Sequence, residues 1–442
     1  MNPLQQSIAH RKQRLKALYE AIEAQEEAII QALHTDFQKP RFEAVVTETA
    51  FVLADLKHTL RNIHRWSKPT RVWPSLLNFP SVEAIYKQPY GKVLIIAPWN
   101  YPFQLALTPL VAAIAAGNQV VLKPSELTPT VSKIIKELIS AVFTAEEAHV
   151  EEGDAMVAQA LLQQRWDYIF FTGSVAVGKI VAQAAAVHLT PCTLELGGKN
   201  PCIVAADTAI ELTARRIVWG KFMNAGQTCI APDYVLVHAY IRDALVRALR
   251  QEIQKAYGEN PKLSPDFARI ISERHWHRLT QFLEQGTVLF GGMHAIENRY
   301  IAPTLIVPQE PCPLMEEEIF GPLLPIISYT DESELEKWIA RYESPLAAYI
   351  FTRNIRWAKG LLQKWSIGGG CINDTLIHFN NKALPFGGVG HSGMGSYHGK
   401  WGFDTFTHHK SIVYKPFWGD APIRYAPYKT KENFVKKIMN LF

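Results

Sequence analysis

Along the first sixty or so residues, Leu4, Ile8, Leu15, Leu18, Ile22, Ile29 and Leu33, then Val45, Val52, Leu56, Leu60 and Ile63, recur at three- and four-residue steps or their multiples. That period belongs to helices with one buried stripe, so two long amphipathic helices are predicted to open the chain. Pro69, Pro74, Pro80 and Pro89 then break any helical pattern and predict an extended connector or hairpin. From residue 90 the pattern changes. The short apolar runs KVLIIAPW, QVVLKPS, AHVEEG, YIFFTGS and TLELGG are separated by enough residues for crossover helices, which is the grammar of a parallel sheet wrapped by helices. A second alternating series follows Asn200, with a helix from Ile210 to Met223 and strands in DYVLVHAY, TVLFGG, LLPIISYT and AAYIFTR. No repeat of 20 to 50 residues is present, and a domain boundary is expected between residues 195 and 210.

Composition narrows the class. With 442 residues, 48% hydrophobic and 20% charged, the chain is globular and too long for one ordinary core, so two domains with room for a small extra lobe are expected. Lys and Arg number 46 against 41 Asp and Glu, a net charge of +5, and the basic residues are dispersed except Lys429, Lys431, Lys436 and Lys437. Nucleic-acid binding therefore has no electrostatic footprint. The apolar runs are too short to span a bilayer, and the N-terminus carries charges where a signal peptide needs its apolar stretch, so a cytoplasmic protein is expected. In the tail, Phe434, Ile438 and Leu441 share a helical face apart from Lys436 and Lys437, a pattern read as a packed tail ahead of a membrane-surface helix. Cys192, Cys202, Cys229, Cys312 and Cys371 are odd in number, widely spaced and without a CxxC pair. They suggest neither a disulfide framework nor a structural zinc site.

In a parallel sheet, ligands sit at the carboxyl ends of the strands. Here those ends read Pro98-Trp99-Asn100, Lys123-Pro124-Ser125-Glu126, Thr172-Gly173-Ser174 and Glu195-Leu196-Gly197-Gly198. The stretch from Gly173 to Lys179 fits the Walker A spacing until Ile180 takes the place of the hydroxyl that would hold magnesium. A P-loop hydrolase, with Asp207 as a magnesium partner, is one reading; a strand-to-helix turn with another purpose is the second. Cys229 follows a glycine-containing turn among Asn224, Gln227 and Thr228, a polar setting that suits a nucleophile better than a core cysteine. Glu195 precedes two glycines, and Asn100 sits in a turn stiffened by Pro102. Singly, these two read as a strand glutamate and a turn asparagine.

Taken in order, PWNYPF, KPSE, FTGS, LELGGK, GQTC, EEIFGP and PFGGVGHSGMG resemble the aldehyde dehydrogenase superfamily from about residue 90 to 410. The stretches RRIVWGKFMNAGQTCIAPDYVLV and LPFGGVGHSGMGSYHGK are similar to its class 3 branch. The resemblance implies an α/β protein: a Rossmann-like NAD(P)-binding domain over 1–70 and 90–200, a catalytic α/β domain over 201–390, a small β oligomerisation lobe over 71–89 and 400–416, and a tail over 417–442. The segment FDTFTHHKSIVY reads as the second part of that lobe, a strand, and a homodimer is implied. Carried over by motif, Cys229 is the nucleophile, Glu195 the general base and Asn100 the oxyanion donor. Lys123 and Glu126 face the adenosine ribose, Gly173, Ser174 and Gly178 the pyrophosphate, and Glu318 and Phe320 the nicotinamide end; Trp99, Leu196 and Gly197 complete the cofactor set. In that frame the five-step glycine pair needs no metal, and Ile180 is expected to pack on its helix. An aldehyde would add Cys229, lose hydride to NAD, with NADP also accepted, and leave as an acid after water cleaves the thioester. Medium or long aliphatic or aromatic aldehydes are the implied substrates. Acyl transfer to coenzyme A is the nearer alternative, against which Glu195 argues.

Overall fold

A computed structural model describes residues 7–429 and 431–439. The opening helices begin at Ser7, whose hydroxyl accepts the His10 N–H at 3.1 Å. The first expected helix is two, Ile8–Ala24 and Glu26–Phe37, joined at Gln25 with φ −109° and ψ 13°. Ile22 and Ile29 stay on one fully buried face across the bend, so the apolar period carries no mark of it. Leu4 lies outside the described residues. The second expected helix is interrupted as well: Arg41–Ala44 leads into a wide π turn, Val45–Thr49, before Ala50–Trp66. Its Glu48 is fully buried against fully buried Lys39 at 2.7 Å, and also accepts the Gln104 N–H at 2.7 Å.

The first sheet has the order Ala148–Val150, Gln119–Lys123, Lys92–Ile96, Tyr168–Thr172, Cys192–Glu195 and Gly393–Met394. The first five strands are parallel, at all five positions expected, and the last is antiparallel. Alternate residues serve opposite faces. Leu94, Ile96, Ile169 and Phe171 pack with Val181 and Ala185 of the helix Val175–Val187, whereas Val93, Ile95 and Phe170 join the large core shared with the opening helices.

Between Glu195 and Pro201 the chain passes to a seven-stranded sheet, Gly286–Phe290, Thr304–Pro308, Leu323–Tyr329, Tyr234–His238, Pro201–Val204, Ala347–Phe351 and Gly369–Ile372. Only its first pair is antiparallel. Pro201–Val204, Thr304–Pro308 and Gly369–Ile372 escape the sequence pattern because each is short and bounded by proline or built on glycine.

These two sheets belong to a unit that runs to Trp66 and resumes over Pro89–Thr407; a smaller unit takes Ser67–Gln88 and restarts at His408. Thr70–Val72 and Val82–Pro89 form the expected hairpin, and Thr407–Tyr414 completes a three-stranded sheet as an edge strand. The segment FDTFTHHKSIVY is thus only partly extended. Phe403 to Thr405 end the helix Gly399–Thr405, which packs closely enough on Ala112 that a Cβ on Gly402 would sit 3.2 Å from it. The tail helix Glu432–Met439 is present, but the side chains of Phe434, Lys437 and Ile438, and all of Leu441, lie outside the description. Among the described residues no helix is long and apolar enough to cross a membrane.

Candidate active site

Cys229 is set by a loop held in an expensive conformation. The helix Ile210–Phe222 ends, and Asn224, Ala225 and Gly226 follow with φ of 54°, 52° and 74°. Left-handed backbone costs an alanine on the order of 1 to 3 kcal/mol, so the surroundings have to enforce it. They do so with side chains on neighbouring elements. The Glu43 carboxylate accepts the Asn224 N–H at 2.9 Å, and the Asn224 amide donates to the carbonyls of Asn100 and Gln227 at 2.9 and 3.2 Å. Gln227 is locked in turn, donating to the carbonyls of Asn224 and Arg269 and accepting the Ile271 N–H. Gly226 admits no side chain, since a Cβ there would lie 2.3 Å from the Gly321 carbonyl oxygen. Beyond the cysteine, Asn200 donates to the Cys229 carbonyl at 2.8 Å and Tyr349 to that of Ile230 at 2.5 Å.

Asn100 belongs to this frame. It is 4% exposed and donates one amide N–H to the Gln227 carbonyl at 3.1 Å, which leaves its second N–H. The next residue, Tyr101, shares a 2.7 Å hydrogen bond with Thr228.

Cys229 and Glu195 wall one cavity of about 510 Å³. Phe42, Val46 and Trp219 also line it and are solvent-exposed, so they mark its rim, whereas Glu195 and Tyr397 are buried in its wall. Glu195 is 3% exposed, and neither carboxylate oxygen has a hydrogen-bond partner in the protein. Burial alone holds its pKa well above the usual carboxylate range. Burial, then the carboxylates of Glu318 and Glu195, pushes the Cys229 thiol up, against the weaker effect of its own N–H and that of Ile230. Glu318 is pushed up to about 8 by burial and by Asp233, opposed by the Gly198 N–H, Lys199 and Arg278.

The ends of neighbouring strands in the first sheet carry the other expected residues. Lys123, 3% exposed, pairs with Glu126 at 2.7 Å. Ser174 caps the helix Val175–Val187 by accepting the Val177 N–H at 3.4 Å. Gly178 lets that helix close on Leu196, since a Cβ would lie 2.6 Å from the Leu196 side chain. This contact, and the turn at Gly173 where a Cβ would strike the Phe171 ring at 2.5 Å, explain the glycine pair. Ile180 corrects an expectation: it is 52% exposed, because Gly178, Val181 and Ala185 form the buried stripe. Gly197 lies under Glu318, whose carboxylate oxygen would be 2.2 Å from a Cβ there. Phe320 meets Trp99 edge-on at 5.3 Å.

Comparison with known proteins gives the chain's family. The sequence profile of the aldehyde dehydrogenase family matches residues 4–412. The chain belongs to the aldehyde dehydrogenase family. A Staphylococcus aureus protein named 4,4'-diaponeurosporen-aldehyde dehydrogenase is 47% identical over 433 residues, 97% of this chain and 94% of its own. Aldehyde dehydrogenase family 3 member A2 of Rattus norvegicus is 43% identical, over 95% of this chain and 87% of its own. A solved structure described as the substrate-bound state of Staphylococcus aureus AldH superposes with a TM-score of 0.96 at 45% identity, covering 98% of this chain and 96% of that one. The P-loop reading falls with these matches. This aldehyde dehydrogenase shares the family's use of NAD(P), and its strand ends suit such a group: a buried lysine paired at a strand terminus, a helix N-terminus behind Gly173, and glycine positions with no space for a Cβ.

Sequence reasoning missed Glu43, Gln227 and Asn200 as loop supports, and Gln104 and Tyr397 in the cavity wall. Gln227 stood two positions before the cysteine and Tyr397 within a quoted motif, but neither residue type announces a role without its partners.

Proposed function

We propose that this enzyme oxidises medium- or long-chain aliphatic or aromatic aldehydes to carboxylic acids by covalent chemistry on Cys229. The observation that carries the reading is that Cys229 and an unpartnered, buried Glu195 share one cavity lined by Phe42, Val46, Trp219, Tyr257, Phe379 and Phe386. Once the Cys229 thiol has given up its proton to solvent, attack by the thiolate on the aldehyde carbon gives a thiohemiacetal whose oxyanion the second Asn100 N–H and the Cys229 N–H would stabilise. Bound NAD(P) would supply the acceptor for the hydride that the carbon loses. Lys123 and Glu126 would hold its ribose, Gly173, Ser174 and Gly178 its pyrophosphate, and Trp99, Leu196, Gly197, Glu318 and Phe320 the remainder. The acyl group stays on sulfur as a thioester. Glu195, a stronger base than a free carboxylate because burial raises its pKa, takes a proton from the attacking water. NAD is preferred over NADP because Glu126 repels a 2'-phosphate that Lys123 only partly offsets, and the ratio of kcat/KM for the two measures this. The first sheet is the cofactor-binding domain, the second the catalytic domain, and the small three-stranded unit the dimerisation lobe.

Rapid mixing at 340 nm, with mass spectrometry of the quenched protein, tests the assignment. Cys229→Ala should give neither a burst of NADH nor turnover. Glu195→Gln should release about one NADH per site and then slow by roughly 10² to 10⁴ with the acyl adduct accumulating. A Glu195→Gln enzyme with unchanged steady turnover removes that residue from the mechanism.

A further inference from the structure

Tyr397 follows the antiparallel edge strand Gly393–Met394, and its ring is clamped. Tyr397 and Phe386 exchange backbone hydrogen bonds of 3.0 and 2.7 Å, Phe170 meets the ring edge-on at 5.2 Å, and His398 at 4.6 Å. The side chain is 1% exposed, yet its hydroxyl has no hydrogen-bond partner in the protein. Buried phenols are almost always bonded, so such an atom calls for an explanation. Thr193 and Glu195, two apart on one strand, share a face, and Thr193 stands opposite Phe170 in register. The ring that rests on Phe170 therefore lies on the face that carries Glu195, and both residues wall the cavity beside Cys229. Burial, then the charges of Glu195 and Cys229, keeps the phenol protonated. One buried donor and one buried acceptor, neither bonded to the protein, thus line the cavity that holds the nucleophile.

We propose that Tyr397 is a further catalytic residue, whose O–H donates to the water that Glu195 deprotonates during thioester hydrolysis. This rests on the reading of Cys229 as nucleophile and Glu195 as base. One lone pair of the water accepts from Tyr397, and the other forms the C–O bond as the carbonyl electron pair moves onto oxygen. The water's proton passes to Glu195. When the tetrahedral adduct collapses, the C–S bond breaks, the acid leaves, and sulfur departs with the bonding pair and recovers the proton from Glu195. Tyr397 keeps its own proton throughout.

Tyr397→Phe preserves the clamped ring and removes one oxygen. The burst of NADH should keep its rate and its amplitude of about one per site, while steady turnover falls about tenfold, the loss expected for one well-placed hydrogen bond. With p-nitrophenyl acetate and no cofactor, the variant should keep its nitrophenolate burst and slow in the phase that follows. Hydroxylamine, a nucleophile that needs no orienting base, should bring the variant to within about twofold of the parent. Adding Tyr397→Phe to Glu195→Gln should cost nothing further, because both act on one water. Steady turnover within twofold of the parent, or burst and steady rates lost together without hydroxylamine rescue, overturns the proposal. If Glu195→Gln shows its burst while Tyr397→Phe is unchanged, the role of Tyr397 alone fails. A burst in Cys229→Ala overturns the underlying reading as well.

Discussion

Glu318 shows how much a single residue's meaning depends on what folds around it. In the sequence it is the third of three glutamates and reads as a solvated face; its place at the cofactor end came only from the motif around it. In the fold it is half-buried over Gly197, with the Gly198 N–H bonded to it and a pKa pushed up to about 8. The sign of its effect on stability follows. Its folded pKa lies above the ordinary value of 4.5, so the native state binds the proton more tightly, and its contribution is fully present below pH ~4.5 and is lost as pH rises towards 8. Glu318→Gln lacks that loss. Thermal unfolding of the two proteins should therefore diverge between pH 5 and 8, with the glutamine variant gaining on the order of 1 kcal/mol at the upper end after allowance for exposure. Parallel curves across that range count against a raised pKa. From the sequence Cys229 stood out by its polar turn, whereas Glu195 took on a proposed role only through the motif that holds it; Glu43 and Tyr397 act through partners 150 or more positions away, which no local pattern encodes.

At the level of elements, strand positions were readable because buried parallel strands are short continuous apolar runs, whereas the bend at Gln25 and the π turn leave the apolar period intact. The π turn has an energetic role. It brings Glu48 to Lys39, both fully buried, and Lys39 also lies 3.9 Å over the Tyr101 ring, whose hydroxyl reaches Thr228 beside the cysteine. Removing one partner of a buried pair leaves an uncompensated charge. Lys39→Met should cost about 3 to 5 kcal/mol in chemical denaturation, and Lys39→Met with Glu48→Leu should recover most of it, less the bond from Gln104. If the double variant is no more stable than the single one, the penalty is one of packing and not of charge.

For the molecule as a whole, the smaller unit exposes several large apolar side chains. Trp73 is 96% exposed, Trp418 70% and Phe417 fully so, and Ile412 and Val413 lie on the edge strand Thr407–Tyr414. An exposed edge strand ending in Ile412, Val413 and Tyr414 invites pairing with another copy. Sedimentation at micromolar concentration should give a particle of about twice the 49.9 kDa chain mass. Replacing Ile412 and Val413 with lysine should return it to one chain mass while leaving the larger unit folded. A single-chain particle from the parent protein argues that this edge has another use.

On the proposed function, the cavity behind Phe42 should also make the protein a selective extractant. Each methylene moved from water into an apolar space is favoured by about 0.8 kcal/mol, close to a fourfold change in partition. Across a homologous series the enzyme should rank aldehydes by chain length until about 510 Å³ is filled. Beyond that length the curve should flatten as the chain emerges past Phe42 and Trp219 into water. Its sorting of a mixed pool of aldehydes would then be governed by solubility, with the chemistry at Cys229 the same for every one of them.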